Sequence, residues 1–289
     1  MRRLGAPQNH IKIHGKTVGR RLAPAVGEHR LPLKPWKRRN FLCPFQSIIR
    51  CSSLFIILSK LQTAVVLLTD LWYHIEKGGR TMVKYVKEFG FAVLAGMAIS
   101  VGCVVYLSVQ NPVAGSILFS VGLLTVLVFK LNLFTGKAPY IVKNKPSYIG
   151  FTALVWLGNF AGTAISALLV HFTKINGKII ERCTSVAQSK ADDSLFSLFI
   201  LGIFCGIMMY IAVDTFINQS EKKNFSSALI VVFCVSVFIL AGFEHSVADM
   251  FYFMLALPIK EWILPLIIIT LGNVVGGNLF CLLTKMKRE

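Results

Sequence analysis

Three ionisable residues stand together in a chain whose neighbouring segments are apolar. The segment AGFEHSVADM, residues 241–250, contains Glu244, His245 and Asp249 and follows a long apolar run. Histidine changes its charge near neutral pH more readily than any other side chain. Ionisable groups at membrane depth are costly and commonly mark the path of an ion or a substrate. This cluster is therefore the first candidate for a functional site.

The same residues could also serve a different chemistry. The spacing E-H-x-x-x-D could supply three ligands to a metal ion. Only two histidines follow Met82, however, and the seven cysteines contain no CxxC pair and no other metal-binding spacing. A membrane-embedded metalloenzyme is thus a remote alternative, and we predict no metal, no cofactor and no catalytic residue. A structural or signalling membrane protein without transport is a further alternative.

The chain after residue 88 has the composition of a membrane protein. Hydrophobic residues make up 55% of the sequence and the mean hydropathy is +0.65, which excludes an ordinary soluble domain. A helix needs about 20 residues to cross the hydrocarbon core. Six apolar segments match or approach this length: residues 89–109, 112–129, 148–170, 195–213, 228–243 and 262–283. The sequence predicts an all-α polytopic protein with six transmembrane helices.

The distribution of positive charge indicates the partner and the orientation. The net charge is +18, but residues 1–81 hold 15 Lys and Arg against three Asp and Glu, and no nucleic-acid-binding motif accompanies them. We therefore predict a lipid bilayer as the partner and no nucleic acid. Outside the predicted helices after residue 82, ten Lys and Arg fall on the side of both termini and five on the other side. The positive-inside rule then places both termini in the cytoplasm.

The two halves of this region repeat the same motifs. GNFAG, residues 158–162, and GNVVG, residues 272–276, each have the G-x-x-x-G spacing that lets membrane helices approach closely. Each also places an asparagine, Asn159 or Asn273, in the second position. An amide in hydrocarbon is costly unless it is hydrogen-bonded. These two asparagines are therefore predicted to join helices through polar contacts.

A second pair of motifs follows the second and fifth apolar segments. LFTGK, residues 133–137, follows the second, and AGFEHSVADM follows the fifth. Three helices in each half predict an inverted 3+3 repeat in which helices 2 and 5 are broken. In such folds the broken helices meet near the middle of the membrane and form the permeation site.

These motifs resemble those of the formate/nitrite transporter family, the pentameric formate, nitrite and hydrosulfide channels. LFTG resembles the family's loop in its second helix, GFEHSVAD its central histidine motif, and GNVVGG its last-helix motif. The resemblance extends from about residue 89 to residue 285. It implies an aquaporin-like protomer with one pore, assembled as a homopentamer in the inner (plasma) membrane of a bacterium.

The resemblance also implies roles for individual residues. The central pore site would comprise His245, Thr135, Lys190, Glu244 and Gly206. The constrictions would comprise Leu133, Phe134, Phe119, Leu123, Phe238 and Met209. Lys190 would attract anions to the outer vestibule, unless it is simply a solvated charge in the polar connection 174–193. We expect Glu244 to cap the broken helix or to hydrogen-bond the loop backbone, with contact to the substrate as the alternative.

Two positions depart from the pattern of the formate channels. Gly206 stands where an asparagine is common, and Asp249 replaces an asparagine that often follows the histidine. A glycine there would widen or depolarise the site beside His245 and favours a hydrosulfide channel. Lys130, near the end of the second apolar segment, is also unexpected, and we expect its side chain to extend toward the cytoplasm.

A transport mechanism follows from the same residues. A charge entering hydrocarbon costs from about 3 to more than 10 kcal/mol, so an apolar constriction blocks an anion and passes its small neutral acid. His245 would either donate the proton or hydrogen-bond the neutral acid in transit. The predicted function is a channel, not an enzyme, for small monovalent anions or their acids. Formate ranks first, hydrosulfide second, and nitrite and lactate follow.

The N-terminal residues 1–81 are predicted to lie outside the working domain, residues 82–289. They carry a net charge of +12 and four of the six histidines, and the family resemblance lies after them. The segment EKGGRTM, residues 76–82, can be encoded by a bacterial ribosome-binding sequence just before the Met82 codon. We expect translation to start at Met82, with a disordered regulatory extension as the alternative. N-terminal sequencing of the native protein distinguishes the two.

Overall fold

The computed structural model of this protein describes residues 80–218 and 225–288. Within these ranges the regular elements are nine α-helices and one 3₁₀ helix. The helices are α1 (Arg80–Ser108), α2 (Pro112–Val128), α3 (Phe134–Lys137), the 3₁₀ helix (Ala138–Lys143), α4 (Ser147–His171), α5 (Asn176–Ala191), α6 (Leu195–Asn218), α7 (Phe225–Leu240), α8 (Ser246–Ala256) and α9 (Ile259–Arg288). Of the predicted N-terminal extension, residues 1–81, the part up to residue 79 lies outside the described residues.

Four helices are long and apolar enough to cross a membrane. They are the part of α1 from Met82, α4, α6 and the part of α9 up to Met286, and each has between 24 and 28 residues. Large apolar side chains such as Leu94, Phe196 and Phe233 are exposed on the protein, as expected where lipid covers the surface. The all-α membrane fold predicted from hydropathy is confirmed.

The second and fifth apolar segments form shorter helices that end at an irregular stretch. Helix α2 has 17 residues and α7 has 16, and each is followed by a separate short helix, α3 or α8. Both breaks have the same construction. Lys130 and Gly242 have φ angles of 54° and 73°, and the next residue donates its N–H to a carbonyl five positions earlier. This is the left-handed helix ending that glycine favours.

Residues 174–193, which the sequence indicates as a polar connection, contain helix α5. Its buried residues, Ile179, Cys183 and Ala187, recur every four positions. That spacing places them on one face of a helix, which packs against the membrane domain. The stripe is present in the sequence, but residues 174–193 also contain seven charged residues, which make it hard to recognise there.

The long helices of each half cross at glycines. A Cβ atom added to Gly162 would lie 2.1 Å from the carbonyl oxygen of Val93, and one added to Gly276 would lie 2.0 Å from that of Ile203. The G-x-x-x-G motifs therefore bring α4 against α1 and α9 against α6. The inverted orientation of the two halves stays a prediction.

The glycine contact gives a matched test on one helix. Gly162→Ala places a methyl group in the α1 backbone and is expected to lower the free energy of unfolding by about 2 kcal/mol. Gly150→Ala on the same helix meets nothing within 4 Å and is expected to stabilise by up to about 1 kcal/mol, because alanine is the better helix former. The midpoint of thermal denaturation in detergent measures both. Equal shifts would contradict close packing at Gly162.

Candidate pore site

Asn159 holds the first helix break in place. Its Oδ1 accepts a hydrogen bond from the backbone N–H of Phe134 at 2.7 Å. Its Nδ2 donates to the carbonyl oxygens of Ala92 at 2.7 Å and Asn132 at 2.9 Å. One buried amide thus ties α4 to α1 and to the loop before α3. These bonds satisfy backbone groups that would otherwise be unpaired at membrane depth.

Asn273 makes the equivalent set of bonds in the second half. Its Oδ1 accepts from the N–H of Ser246 at 2.9 Å, and its Nδ2 donates to the carbonyl oxygens of Gly202 and Glu244 at 2.9 and 2.8 Å. The amide joins α9 to α6 and to the loop before α8. Asn159 and Asn273 thus make the same three kinds of hydrogen bond, one in each half.

The two loops bring Thr135 and His245 into direct contact. Thr135 Oγ1 lies 2.8 Å from His245 Nε2, and both residues are almost fully buried. His245 also caps helix α8, because its Nδ1 accepts the backbone N–H of Ala248 at 3.1 Å. A nitrogen that accepts a hydrogen bond carries no proton, so the neutral ring has its proton on Nε2 and donates it to Thr135.

Aromatic rings cover the histidine on one side. The ring of Phe238 stacks on that of His245, with centroids 5.6 Å apart and an interplanar angle of 15°. Phe119 meets Phe238 edge to face at 6.1 Å. Both phenylalanines are buried. The polar Thr135–His245 pair therefore lies beside two buried phenylalanine rings.

Two cavities lie next to the loops that carry this pair, one lined by Glu244 and the other by Leu133 and Gly136. The first, which we call the Lys190 cavity, has a volume of about 270 Å³. The second, the Lys137 cavity, has a volume of about 350 Å³. Along α2, Phe119 lines the Lys190 cavity and Leu123, one turn later, lines the Lys137 cavity. The two cavities are thus about one turn of α2 apart.

The Lys137 cavity contains two lysines. Lys137 and Lys130 line it together with Leu133 and other apolar residues, and none of its described lining residues is acidic. Lys130 is exposed and is one of the residues that line this cavity. The sequence singled out Lys130 only as an unexpected charge and did not single out Lys137.

The Lys190 cavity contains an ionic cluster that joins three elements. Lys190, on α5, contacts a carboxylate oxygen of Glu244 and lies 3.2 Å from Oδ1 of Asp249. Burial lowers the pKa of Lys190, but the charges of Asp249 and Glu244 outweigh it and raise that pKa above its usual value. Lys190 is thus neither a loop charge nor a freely solvated one, and the side chain of Glu244 pairs with it instead of capping a helix.

Three of the predicted site residues line neither cavity. A Cβ on Gly206 would lie 2.3 Å from the carbonyl oxygen of Asn273, so Gly206 lies at the crossing of α6 and α9. Phe134 lines a separate apolar groove with Ile141 and other residues. Met209 is buried and lines neither of the two cavities.

One polar residue in the framework was missed in the sequence. Asn278 accepts the N–H of Val142 at 3.1 Å and donates to the carbonyl oxygen of Ala138 at 2.8 Å, which joins α9 to the 3₁₀ helix. A second asparagine one and a half turns after Asn273 was the available signal. A buried amide on a membrane helix needs hydrogen-bond partners wherever it occurs.

The metal-binding interpretation of Glu244, His245 and Asp249 does not match this geometry. Among the described residues, no group of three His, Cys, Asp or Glu side chains is close enough to hold a metal ion. The ammonium group of Lys190 contacts both carboxylates and takes the position that a cation would need. The side chain of His245 is used in contacts with Thr135 and Ala248.

Known proteins are similar to this chain in sequence and in fold. The family model described as "Formate/nitrite transporter" matches residues 75–286. The formate channel FocA of Escherichia coli K12 is 27% identical over 243 residues, which cover 68% of this chain and 85% of FocA. The nitrite transporter NirC of Salmonella typhimurium LT2 is 26% identical over 213 residues, covering 65% of this chain and 77% of NirC.

Solved structures agree with this assignment. A pentameric formate channel with formate bound aligns with a TM-score of 0.62 and 23% identity, over 72% of this chain and 99% of the channel. An FNT family ion channel aligns with a TM-score of 0.64 and 22% identity, over 71% of this chain and 90% of the channel. On the family match, this chain is a membrane protein of the formate/nitrite transporter family.

Proposed function

We propose that this protein is a channel for small monovalent anions and that formate is its preferred substrate. The anions cross the channel as their neutral acids. The observation that carries the proposal is the Thr135–His245 pair beneath the Phe119–Phe238 barrier, between two cavities that both contain lysine. Lysines concentrate anions at a pore entrance, and apolar constrictions exclude charge.

The contacts of His245 support one of its two possible roles in this proposal. Its Nδ1 is occupied by the N–H of Ala248, and its Nε2–H points to Thr135. The ring therefore has no additional proton to give while it caps α8. We propose that His245 and Thr135 hydrogen-bond the neutral acid in transit and compensate for the water that it loses. The proton comes from another group.

Relatives support formate over the alternatives. Formate channels of Escherichia coli and Haemophilus influenzae are 27% and 28% identical to this chain. Nitrite is the second candidate, because the nitrite transporter NirC is also similar. The argument for hydrosulfide depended on Gly206 beside the histidine, and Gly206 lies at a helix crossing instead. Hydrosulfide thus falls behind nitrite in our proposal.

We also propose a homopentamer in the cell inner membrane with both termini in the cytoplasm and residues 82–289 as the transport domain. The similar solved channel is pentameric. The exposed apolar side chains of α1, α4 and α7 supply surfaces that lipid or neighbouring subunits must cover. The excess of lysine on the side of the termini favours this orientation.

Uptake into proteoliposomes tests the proposed function. Vesicles with the purified protein are expected to take up formate faster than empty vesicles, and faster as the external pH falls, because the fraction of formic acid rises. Nitrite and hydrosulfide are measured in parallel. A formate flux equal to that of empty vesicles, with transport of either other anion, would overturn the substrate ranking. No flux of any of the three would favour a structural or signalling protein.

A further inference from the structure

We infer that Asp249 is the proton donor of the Lys190 cavity: the Lys190–Glu244–Asp249 cluster holds one proton, which Asp249 transfers to an anion that has entered the cavity. The inference rests on the proposed function, in which the substrate crosses the barrier as its neutral acid. It names the group that supplies the proton, a role that the contacts of His245 leave open.

The charge of the cluster is the first argument. One ammonium group, on Lys190, faces two carboxylates, on Glu244 and Asp249. With all three ionised, the cluster would carry an uncompensated negative charge at a place where Asp249 is 1% and Glu244 4% exposed. An uncompensated buried charge is strongly unfavourable. Two carboxylates that share one cation therefore retain one proton between them.

The bonding of the two carboxylates places this proton on Asp249. Glu244 accepts a hydrogen bond from Lys190 and is the more exposed of the two carboxylates, so we assign it as the ionised partner. Asp249 gives only Oδ1 to Lys190, and its Oδ2 is buried without any hydrogen-bond partner among the described residues. A protonated Oδ2 needs an acceptor. Because Asp249 lines the Lys190 cavity, an anion in that cavity can be that acceptor.

The other groups near Asp249 cannot take its place. Cys103 from α1, Cys205 from α6 and Tyr252 from α8 lie close enough to interact with its charge. All three are buried and are weak acids that remain neutral at physiological pH. His245, at the start of the same helix, uses both ring nitrogens. Among the described neighbours, only the two carboxylates and Lys190 can exchange a proton near neutral pH.

The proton transfer exchanges one O–H bond for another. The O–H bond of the Asp249 carboxylic acid breaks, and a new O–H bond forms on the bound monocarboxylate, which becomes a neutral acid. The negative charge left on Asp249 is stabilised by Lys190, whose positive charge remains. The neutral acid crosses the Phe119–Phe238 barrier to the Thr135–His245 pair. A proton from the bulk solution, relayed by water in the Lys190 cavity, returns to Asp249, so one proton accompanies each anion.

Formate uptake as a function of pH tests this role. Asp249→Asn keeps the shape and an acceptor for Lys190 but cannot carry the proton. We expect its uptake to be about tenfold below wild type near pH 7 and to approach wild type near pH 5, where the solution supplies formic acid directly. Glu244→Gln should behave similarly, because one carboxylate opposite Lys190 then stays ionised. The exposed control Asp192→Asn should match wild type at every pH.

An unchanged Asp249→Asn profile, or a reduction by the same factor at every pH, would overturn the proton role. A second measurement remains decisive if the substrate is not formate. The infrared carbonyl band of a protonated carboxylic acid should be present in wild type and Asp192→Asn near pH 7 and absent in Asp249→Asn and Glu244→Gln. A band retained in Asp249→Asn refutes the inference. Absence of formate uptake by wild type contradicts the proposed substrate alone.

Discussion

Replacing His245 with leucine is expected to reduce formate uptake at least thirtyfold. The substitution leaves the buried hydroxyl of Thr135 without its partner and removes the ring N–H that would bond the neutral acid. The loss of such a bond costs about 2 kcal/mol, which is about thirtyfold in rate. Proteoliposome uptake between about pH 5 and 8 measures the effect, and size-exclusion chromatography checks the assembly.

A second variant separates transport from folding. His245 also caps α8 through the N–H of Ala248, so leucine should cost a further ~1 kcal/mol of stability. Asparagine is a good helix cap but is too short to reach Thr135 while it does so. His245→Asn should therefore keep the denaturation midpoint close to wild type and still lose most of the flux. Wild-type flux in either variant would remove His245 from the mechanism.

Replacing Asn273 with leucine is expected to have the largest effect on stability. Three hydrogen bonds disappear, and the N–H of Ser246 and the carbonyl groups of Gly202 and Glu244 lose their partner in a buried place. Each unsatisfied buried group costs about 1–3 kcal/mol, so we expect a loss of about 4 kcal/mol or more. The midpoint of thermal denaturation and the oligomeric state in detergent measure this.

The same prediction applies to the equivalent asparagine in the first half, Asn159. Asn159→Leu breaks the same three kinds of bond around the first helix break and should destabilise the protein by a similar amount. Asn144→Leu is the control, because its amide is exposed and makes one bond, to the carbonyl oxygen of Tyr140. A mild effect at Asn159 or Asn273, comparable with that at Asn144, would show that the breaks do not depend on these amides.

Much of the framework could be predicted because its signals are local. A membrane-spanning helix must match the thickness of the bilayer, so the length of each apolar segment is enough to locate the spanning helices. The two breaks and the two asparagines were predictable because motifs recur in both halves. Thr135 and His245 were predicted as neighbours only through the family resemblance, and their contact at 2.8 Å agrees with it.

Pairings between distant charges could not be predicted in the same way. Lys190 reaches Glu244 across 54 positions because α5 folds as a helix and packs with its apolar stripe inward. A sequence in which seven charged residues surround that stripe does not reveal which lysine turns toward the pore. The direction of a side chain is equally hidden, and for this reason Gly206 and Phe134 were assigned to the pore although they face a helix and a groove.

The sequence by itself determined that this protein crosses the membrane, that two of its helices are broken, and which polar residues lie at the breaks. Hydrocarbon imposes these features, since it tolerates polar backbone and side chains only where they are bonded. Only the tertiary structure shows that Nδ1 of His245 caps α8 and that Lys190 is shared by two carboxylates. Both depend on distances of about 3 Å between separate elements, which the packing of helices sets and local sequence does not.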